Sequence, residues 1–415
     1  MNNKANYNLD EDINQELSAN GKLSGVESEP EEEIQDPFDP DMISIDAKVV
    51  PMETLLRRLT QSTIRLAPAF QRKEVWDLER KSRLIESLML AIPLPMFYVA
   101  ADEKANWDVV DGLQRLTTIK EFVLGNQYMQ TRQEELKGNG FRLQRLEFWG
   151  DKYNGLIFNK LNEGVRNRIL ETEFRFTIIN PGTPEEVKRN IFKRINTGGM
   201  PLTLQEIRHA LYQGKSTTLL EELANSHEFK SATDHSVDDS RMAARELVLR
   251  FLAFSVRSYE TYPRTSDMDN FLCDTMRLIN IMPNMGKNDL AKIFKNRDIP
   301  NCRFTQIEDL TTRFNNGMKR SAALFRTHAF RKSYGHYRRS PINKTLFEVF
   351  GNLLADLSTD EYHKLMQNRD SFLTQYNSLL GNDSFVNILS RDSWKYAGVQ
   401  FRYSQLKNLI SNYTY

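Results

Sequence analysis

Cysteine is nearly absent. The 415 residues hold two, Cys273 and Cys302, too few for a disulfide framework or a cysteine-rich zinc site, and a usage expected of a reducing compartment. Long apolar runs are missing too. The longest, residues 88–101, is broken by Pro93 and Pro95, which excludes a bilayer-spanning helix of about 20 apolar residues. No basic start followed by an apolar run opens the chain, so no secretory signal is expected. These absences predict a cytoplasmic protein with no membrane partner.

The length suggests two or three domains at about 150 residues each. Hydrophobic residues make up 40% and charged residues 27%, ordinary for a globular protein. The net charge of +1 conceals a division. Residues 1–46 carry thirteen Asp or Glu against two Lys, a balance of −11 that leaves +12 on the rest. So acidic a segment, rich in Asn, Glu, Ser and Pro, is predicted to be a disordered tail over 1–42. It either solubilises the chain, shields the basic body or mimics nucleic acid.

The opposite bias fills residues 310–347, which hold no acid and nine Lys or Arg. Arg313, Lys319, Arg320, Arg326, Arg331, Lys332, Arg338 and Arg339 are candidate nucleic-acid contacts, with Tyr334, His336 and Tyr337 interleaved for stacking. The alternative is a helix face whose acidic partners lie elsewhere in the fold.

Apolar spacing predicts an α+β organisation. Residues 43–215 alternate strands with helices: strands at 64–66, 96–100, 107–110 and 174–179, helices at 78–90 and 113–124. Gly125 is positioned as a helix stop. Thr183-Pro184-Glu185-Glu186 and Thr203-Leu204-Gln205-Glu206 both read as capping boxes. Residues 126–170 give no clear pattern. Residues 216–415 read as an all-α domain containing the basic stretch.

The chemistry concentrates at Asp111-Gly112-Leu113-Gln114-Arg115, where a strand turns tightly into a helix. Helix N-termini offer unpaired N–H groups and a positive dipole end, hence an anion site. A cation in that first turn opposes the dipole, and a bound phosphate would reverse the sign. Gly112, Gln114, Thr117 and Thr118 are therefore phosphate-contact candidates with Arg115, and Asp111 is a candidate metal ligand or water-orienting base. The competing account makes Asp111 an N-cap and pairs Arg115 with a carboxylate. An Arg115 neutralised by a neighbouring carboxylate, with no open cavity beside it, would collapse the enzymatic interpretation and leave only a likeness of fold.

Around this junction stand Gln71-Arg72 upstream and Lys193-Arg194-Ile195-Asn196-Thr197-Gly198-Gly199 downstream. Together with Ile92-Pro93-Leu94-Pro95 and Leu204-Gln205-Glu206-Ile207-Arg208-His209-Ala210, their order over roughly 43–257 resembles the N-terminal domain of GmrSD-type restriction endonucleases. That family lies in the ParB/sulfiredoxin-like superfamily. The resemblance implies a ParB/sulfiredoxin-like NTP-binding domain before the helical one, NTP with Mg2+ as its cofactor, and NTP hydrolysis by Asp111, Gln114 and Arg115. Gln71, Arg72, Lys193, Arg194 and Asn196 would add nucleotide contacts. The family signature usually reads Asp-Gly-Gln-Gln-Arg, and Leu113 stands at its third position here, a departure that bears on hydrolysis.

The implied setting is DNA restriction or phage defence, with DNA and a partner nuclease as partners. Two further readings stay open: a non-catalytic nucleic-acid-binding or scaffold protein, and a metal-dependent nuclease using Asp111. The family's His-Asn-His nuclease pattern does not occur after residue 257. Gly214-Lys215-Ser216 fails as a P-loop because His209 occupies the first glycine position. His227 and His235, near Asp234, Asp238 and Asp239, lack helical ligand spacing.

Overall fold

The computed structural model describes residues 14–29, 44–66, 76–125, 140–195, 202–295, 297–334, 339–391 and 393–414. The chain divides into two compact units, one of residues 35–203 and one of residues 1–34 with 204–415. Among the described residues, no helix is long and apolar enough to cross a membrane.

The first strands, β1 (Gln15–Leu17) and β2 (Leu23–Glu27), form an antiparallel hairpin. This overturns the disordered-tail reading of 1–42 for residues 14–29. Composition weighs apolar burial, whereas this hairpin also gains ion pairs and backbone bonds: Glu16 and Glu27 pair with Lys344 and Lys332 of its own unit, and Glu27 N–H donates to the Ile342 carbonyl at 2.8 Å.

The α/β unit is built from β3 (Ile45–Pro51), α1 (Met52–Thr60), β4 (Ile64–Arg65), α2 (Leu78–Met89), β5 (Phe97–Ala101), β6 (Trp107–Asp111) and α3 (Leu113–Leu124). Then come α4 (Gly150–Tyr153), α5 (Glu163–Leu170), β7 (Glu173–Ile179) and α6 (Glu185–Ile195). The sheet order is β3-β7-β5-β6-β4. Strand β5 runs antiparallel to β6 and parallel to β7.

One sheet face is apolar. Phe97, Phe174, Phe176 and Trp107 are buried there, with the rings of Phe97 and Phe176 stacked at 5.1 Å. Helix α2 packs against α3 and α5, and a nearly buried Lys81–Glu121 ion pair of 2.6 Å ties α2 to α3. Within α2 the Glu86 carboxylate accepts the N–H groups of Glu147, Phe148 and Trp149, each at 2.8 Å. That buried acid orders a segment for which periodicity gave no pattern. The Thr183 hydroxyl donates to the Ser44 carbonyl at 3.1 Å; the side chain of Glu186, the other half of the capping box expected there, lies outside the described residues.

The second unit continues with α7 (Leu204–Leu211), α8 (Lys215–Asn225), α9 (His227–Ala232), α10 (Ala243–Val256), α11 (Met268–Ile281), α12 (Lys287–Phe294) and α13 (Ile307–Phe325). It ends with α14 (Lys344–Asp356), α15 (Thr359–Gln367), α16 (Arg369–Leu380), α17 (Asp383–Ser390) and α18 (Tyr396–Ser411). Helix α10 is buried on nearly every side and packs against α8, α11, α13 and α14. Helix α7 also packs on α10, so the division falls between 203 and 204 and not near 215. The polar face of α7 finds partners there, Arg208 with Asp269 at 2.8 Å and Glu206 with Arg241 at 3.1 Å.

Candidate functional site

Strand β6 delivers Asp111 to the start of α3 through Gly112, whose φ is +98°. A Cβ at Gly112 would run into the Phe97 ring, so both backbone conformation and space demand glycine. The cap position belongs to this glycine, and it makes no side-chain capping bond. Leu116 is the first residue of α3 to donate inside the helix, to the Gly112 carbonyl at 2.9 Å. The N–H groups of Leu113, Gln114 and Arg115 thus lack intrahelical acceptors.

Arg115 is not a lone cation. Its guanidinium donates to Asp111 Oδ2 at 2.8 Å, to the Pro95 carbonyl, and to the Met96 carbonyl at 3.3 Å. It also lies over the Phe97 ring at 4.5 Å. Burial lowers its pKa, and the Asp111 charge counters that effect. The side chain of Arg115 is 12% exposed and that of Asp111 38%. This corrects the expectation of an uncompensated arginine: the four-residue spacing across the strand–helix junction brings the carboxylate onto it. Arg115 ties the end of β6 to the start of β5.

Gln114 Oε1 accepts the Trp76 N–H at 3.4 Å. Trp76 follows the segment holding Gln71 and Arg72, two predicted contacts that lie outside the described residues. Thr118 is buried and donates to the Gln114 carbonyl at 2.7 Å, a helix-internal bond that turns its hydroxyl from any ligand at the N-terminus. The Thr117 hydroxyl oxygen is buried and has no hydrogen-bond partner among the described residues. Lys193 and Arg194 fall in the last turn of α6, their side chains outside the described residues, as is Asn196 altogether.

Pairing register adds residues that sequence periodicity missed. Tyr98 of β5 lies opposite Asp111, and Thr177 of β7 lies opposite Tyr98. All three are partly exposed, so the face carrying Asp111 continues across three strands. Nothing local in the sequence announces this row, because it depends on how distant strands align.

As to a metal, Asp111 is already engaged by Arg115, and no group of three or more His, Cys, Asp or Glu able to hold an ion occurs among the described residues. A Mg2+ bound chiefly through phosphates and water needs only one or two carboxylates, and Asp111 fits that limited part. Lys215 of the rejected P-loop pattern bonds the Met282 carbonyl at 2.5 Å.

In the basic stretch the alternative of acidic partners elsewhere in the fold holds for several residues. Arg313 is buried and bonds Asp356 at 2.6 Å, Ser255 and Asn352. Arg320 binds the carbonyls of Leu354 and Leu357, each at 2.7 Å. Arg331 is buried against Ser340, Thr233 and Ser236, and Lys332 pairs with Glu27 at 2.6 Å. Arg339 pairs with Asp234, and the exposed Lys319 reaches Glu228 at 3.4 Å. Arg326 is exposed; Arg338, like His336 and Tyr337, lies outside the described residues. The run is therefore no continuous nucleic-acid surface, since its acidic partners come from distant parts of the chain.

No curated protein and no solved structure matches the chain. Residues 52–213 match one family model, described as the N-terminal domain of the GmrSD restriction endonuclease.

Proposed function

We propose, from the premise that residues 52–213 belong to the GmrSD restriction endonuclease N-terminal domain family, that the chain is a component of a DNA restriction or phage-defence system. Its α/β unit binds and hydrolyses a nucleoside triphosphate, and nucleotide state governs engagement of DNA or a partner nuclease. The observation that carries this reading is the junction of β6, Gly112 and α3. The N–H groups of the first turn of α3 have no acceptor within the helix and stand beside a half-exposed carboxylate, and the Trp76 N–H reaches Gln114 of the same turn.

In this reading the phosphates lie against the N–H groups of Leu113, Gln114 and Arg115, with the helix dipole favouring their charge. Gln71 and Arg72 add side-chain donors. Arg115 is a positioning residue: it holds Asp111 and the Pro95–Met96 carbonyls in a fixed relation. Asp111 orients the attacking water or takes one coordination position on Mg2+. Mg2+, when bound, neutralises charge on the phosphates.

Phosphate release from ATP, GTP, CTP and UTP, with and without DNA, tests the reading. Asp111→Asn is expected to lower turnover at least ~100-fold while nucleotide binding persists. Turnover unchanged in Asp111→Asn, or none from any triphosphate in the wild type, contradicts it.

A second reading has its own support. Asp111 and Arg115 satisfy each other at 2.8 Å, and Leu113, in place of the family's glutamine, is buried at 9% exposure. Both suit a module that binds nucleic acid or scaffolds a complex without catalysis. Tight nucleotide-independent DNA binding without phosphate release would favour it.

A further inference from the structure

The acidic N-terminal hairpin and the basic stretch, opposite extremes of the sequence, meet inside the helical unit. Lys344 Nζ lies 2.5 Å from Glu16 and 2.8 Å from Glu246. Lys332 Nζ lies 2.6 Å from Glu27, which also accepts from Ser390 and Asn343 at 3.0 Å each. Arg250 pairs with Glu29, and Ser393 donates to Glu29 at 2.7 Å. The Lys332, Lys344 and Arg250 side chains are 10%, 5% and 5% exposed. Three carboxylates of one short segment thus fill a cradle lined by cations.

Apolar attachment is slight by comparison. Val26 is fully buried, while Leu17 and Leu23 are 46% and 61% exposed. Backbone bonds link Glu27 N–H to the Ile342 carbonyl at 2.8 Å and Ile342 N–H to the Gly25 carbonyl at 2.9 Å. A two-stranded hairpin alone is marginal in water, so its order depends on these polar and ionic contacts. Salt screens pairs this buried only weakly, but an anion that enters the cradle can take the place of the carboxylates.

With the hairpin withdrawn, Arg250, Lys332 and Lys344 would each lose a carboxylate partner, while Glu246 stays beside Arg250 and Lys344 and Glu348 beside Arg250 and Arg402. Among the described residues Lys332 has no carboxylate partner other than Glu27. Withdrawal takes three negative charges from beside these cations, and hydroxyl and amide groups of Ser390, Ser393 and Asn343 lie among them. Clustered cations with neutral donors suit phosphate oxygens spaced along a backbone.

We propose that this cradle is a binding site for nucleic-acid phosphates, and that the chain's own acidic hairpin occupies it as a competing mimic. The inference rests on the nucleic-acid engagement proposed above and gives it a location. It is independent of triphosphate hydrolysis. Nucleic acid and hairpin exclude each other, so binding begins with release of residues 14–29.

The test uses the full chain in three forms: wild type, Gly25→Ala, and the combined Glu16→Gln, Glu27→Gln, Glu29→Gln variant. Gly25 has φ +83°, and an added Cβ would strike the Ser236 carbonyl, so alanine dislodges the hairpin while leaving every cradle charge in place. Affinity for a fluorescein-labelled DNA duplex and its single strand is read by anisotropy across salt concentrations. Both variants should bind at least ~10-fold more tightly than wild type, with a steeper salt dependence. In wild type, DNA should accelerate hydrogen exchange of the Glu27 and Ile342 amides. That measurement decides even where a variant does not fold. DNA bound to wild type with those amides still protected, or folded variants no tighter than wild type, overturns the proposal. Absence of DNA binding in all three forms overturns it together with DNA engagement, while phosphate release reports separately on hydrolysis.

Discussion

His209 of α7 is wholly buried, and neither ring nitrogen has a hydrogen-bond partner among the described residues. Burial lowers its pKa, the nearby Arg245 charge adds to the effect, and together they bring it to about 4. The imidazole is therefore neutral in the fold and takes a proton more readily when unfolded, near pH 6.5. Between those values the unfolded state binds more protons, so stability rises with pH and is lost as pH falls from 6.5 toward 4. Across the window the loss amounts to about 3 kcal/mol. Glu246, whose pKa the Lys344, Arg208 and Arg250 charges bring to about 2 against the opposing effect of burial, loses its contribution only below about pH 4.5. Urea unfolding of wild type and His209→Leu at pH 7 and pH 5 separates the two. The wild type should lose stability relative to the variant over that interval, and parallel behaviour would refute the assignment.

At the scale of elements, local signals and non-local pairing differ in what they disclose. Helix α3 begins and ends where apolar spacing and Gly125 predict, at Leu113 and Leu124, because each signal lies within one or two turns. The strand at 107–110 extends only to Asp111. What periodicity cannot supply is partner and register. That Tyr98 stands opposite Asp111, that Arg115 reaches back to the Pro95 and Met96 carbonyls, and that Glu86 gathers three N–H groups all depend on chain segments brought together by folding. Pairing of Arg115 with a carboxylate is one of two readings the spacing leaves open, a bound phosphate being the other; that the carboxylate is Asp111, with Gly112 as the cap, emerges only in the fold. Gly112 is the element joining these pieces. Gly112→Ala should cost about 2 kcal/mol or more, from the positive φ alone before the collision with Phe97. A denaturant midpoint unchanged from wild type would contradict that account of the turn.

Over the whole molecule, charge is sorted by the fold and not by sequence position. The −11 segment and the basic run look, in sequence, like a free tail and a free surface. In the structure Glu16, Glu27 and Glu29 neutralise Lys344, Lys332 and Arg250, and Arg313 is buried against Asp356. Compositional bias locates charge without telling whether an opposite charge sits across the fold, which is why the disordered-tail reading needed correction for residues 14–29. For the basic run the alternative with acidic partners elsewhere in the fold holds for Arg313, Lys319, Lys332 and Arg339. The α/β unit keeps its own distinct feature, a helix end whose first N–H groups have no intrahelical acceptor, beside a half-exposed carboxylate. Hydrogen exchange at Leu113, Gln114 and Arg115, with and without a non-hydrolysable triphosphate analogue, tests most directly whether that helix end holds phosphate. Protection concentrated at these three amides and at residues 71–76 is the predicted result. An analogue that binds while leaving those amides unprotected, or that does not bind at all, would contradict it.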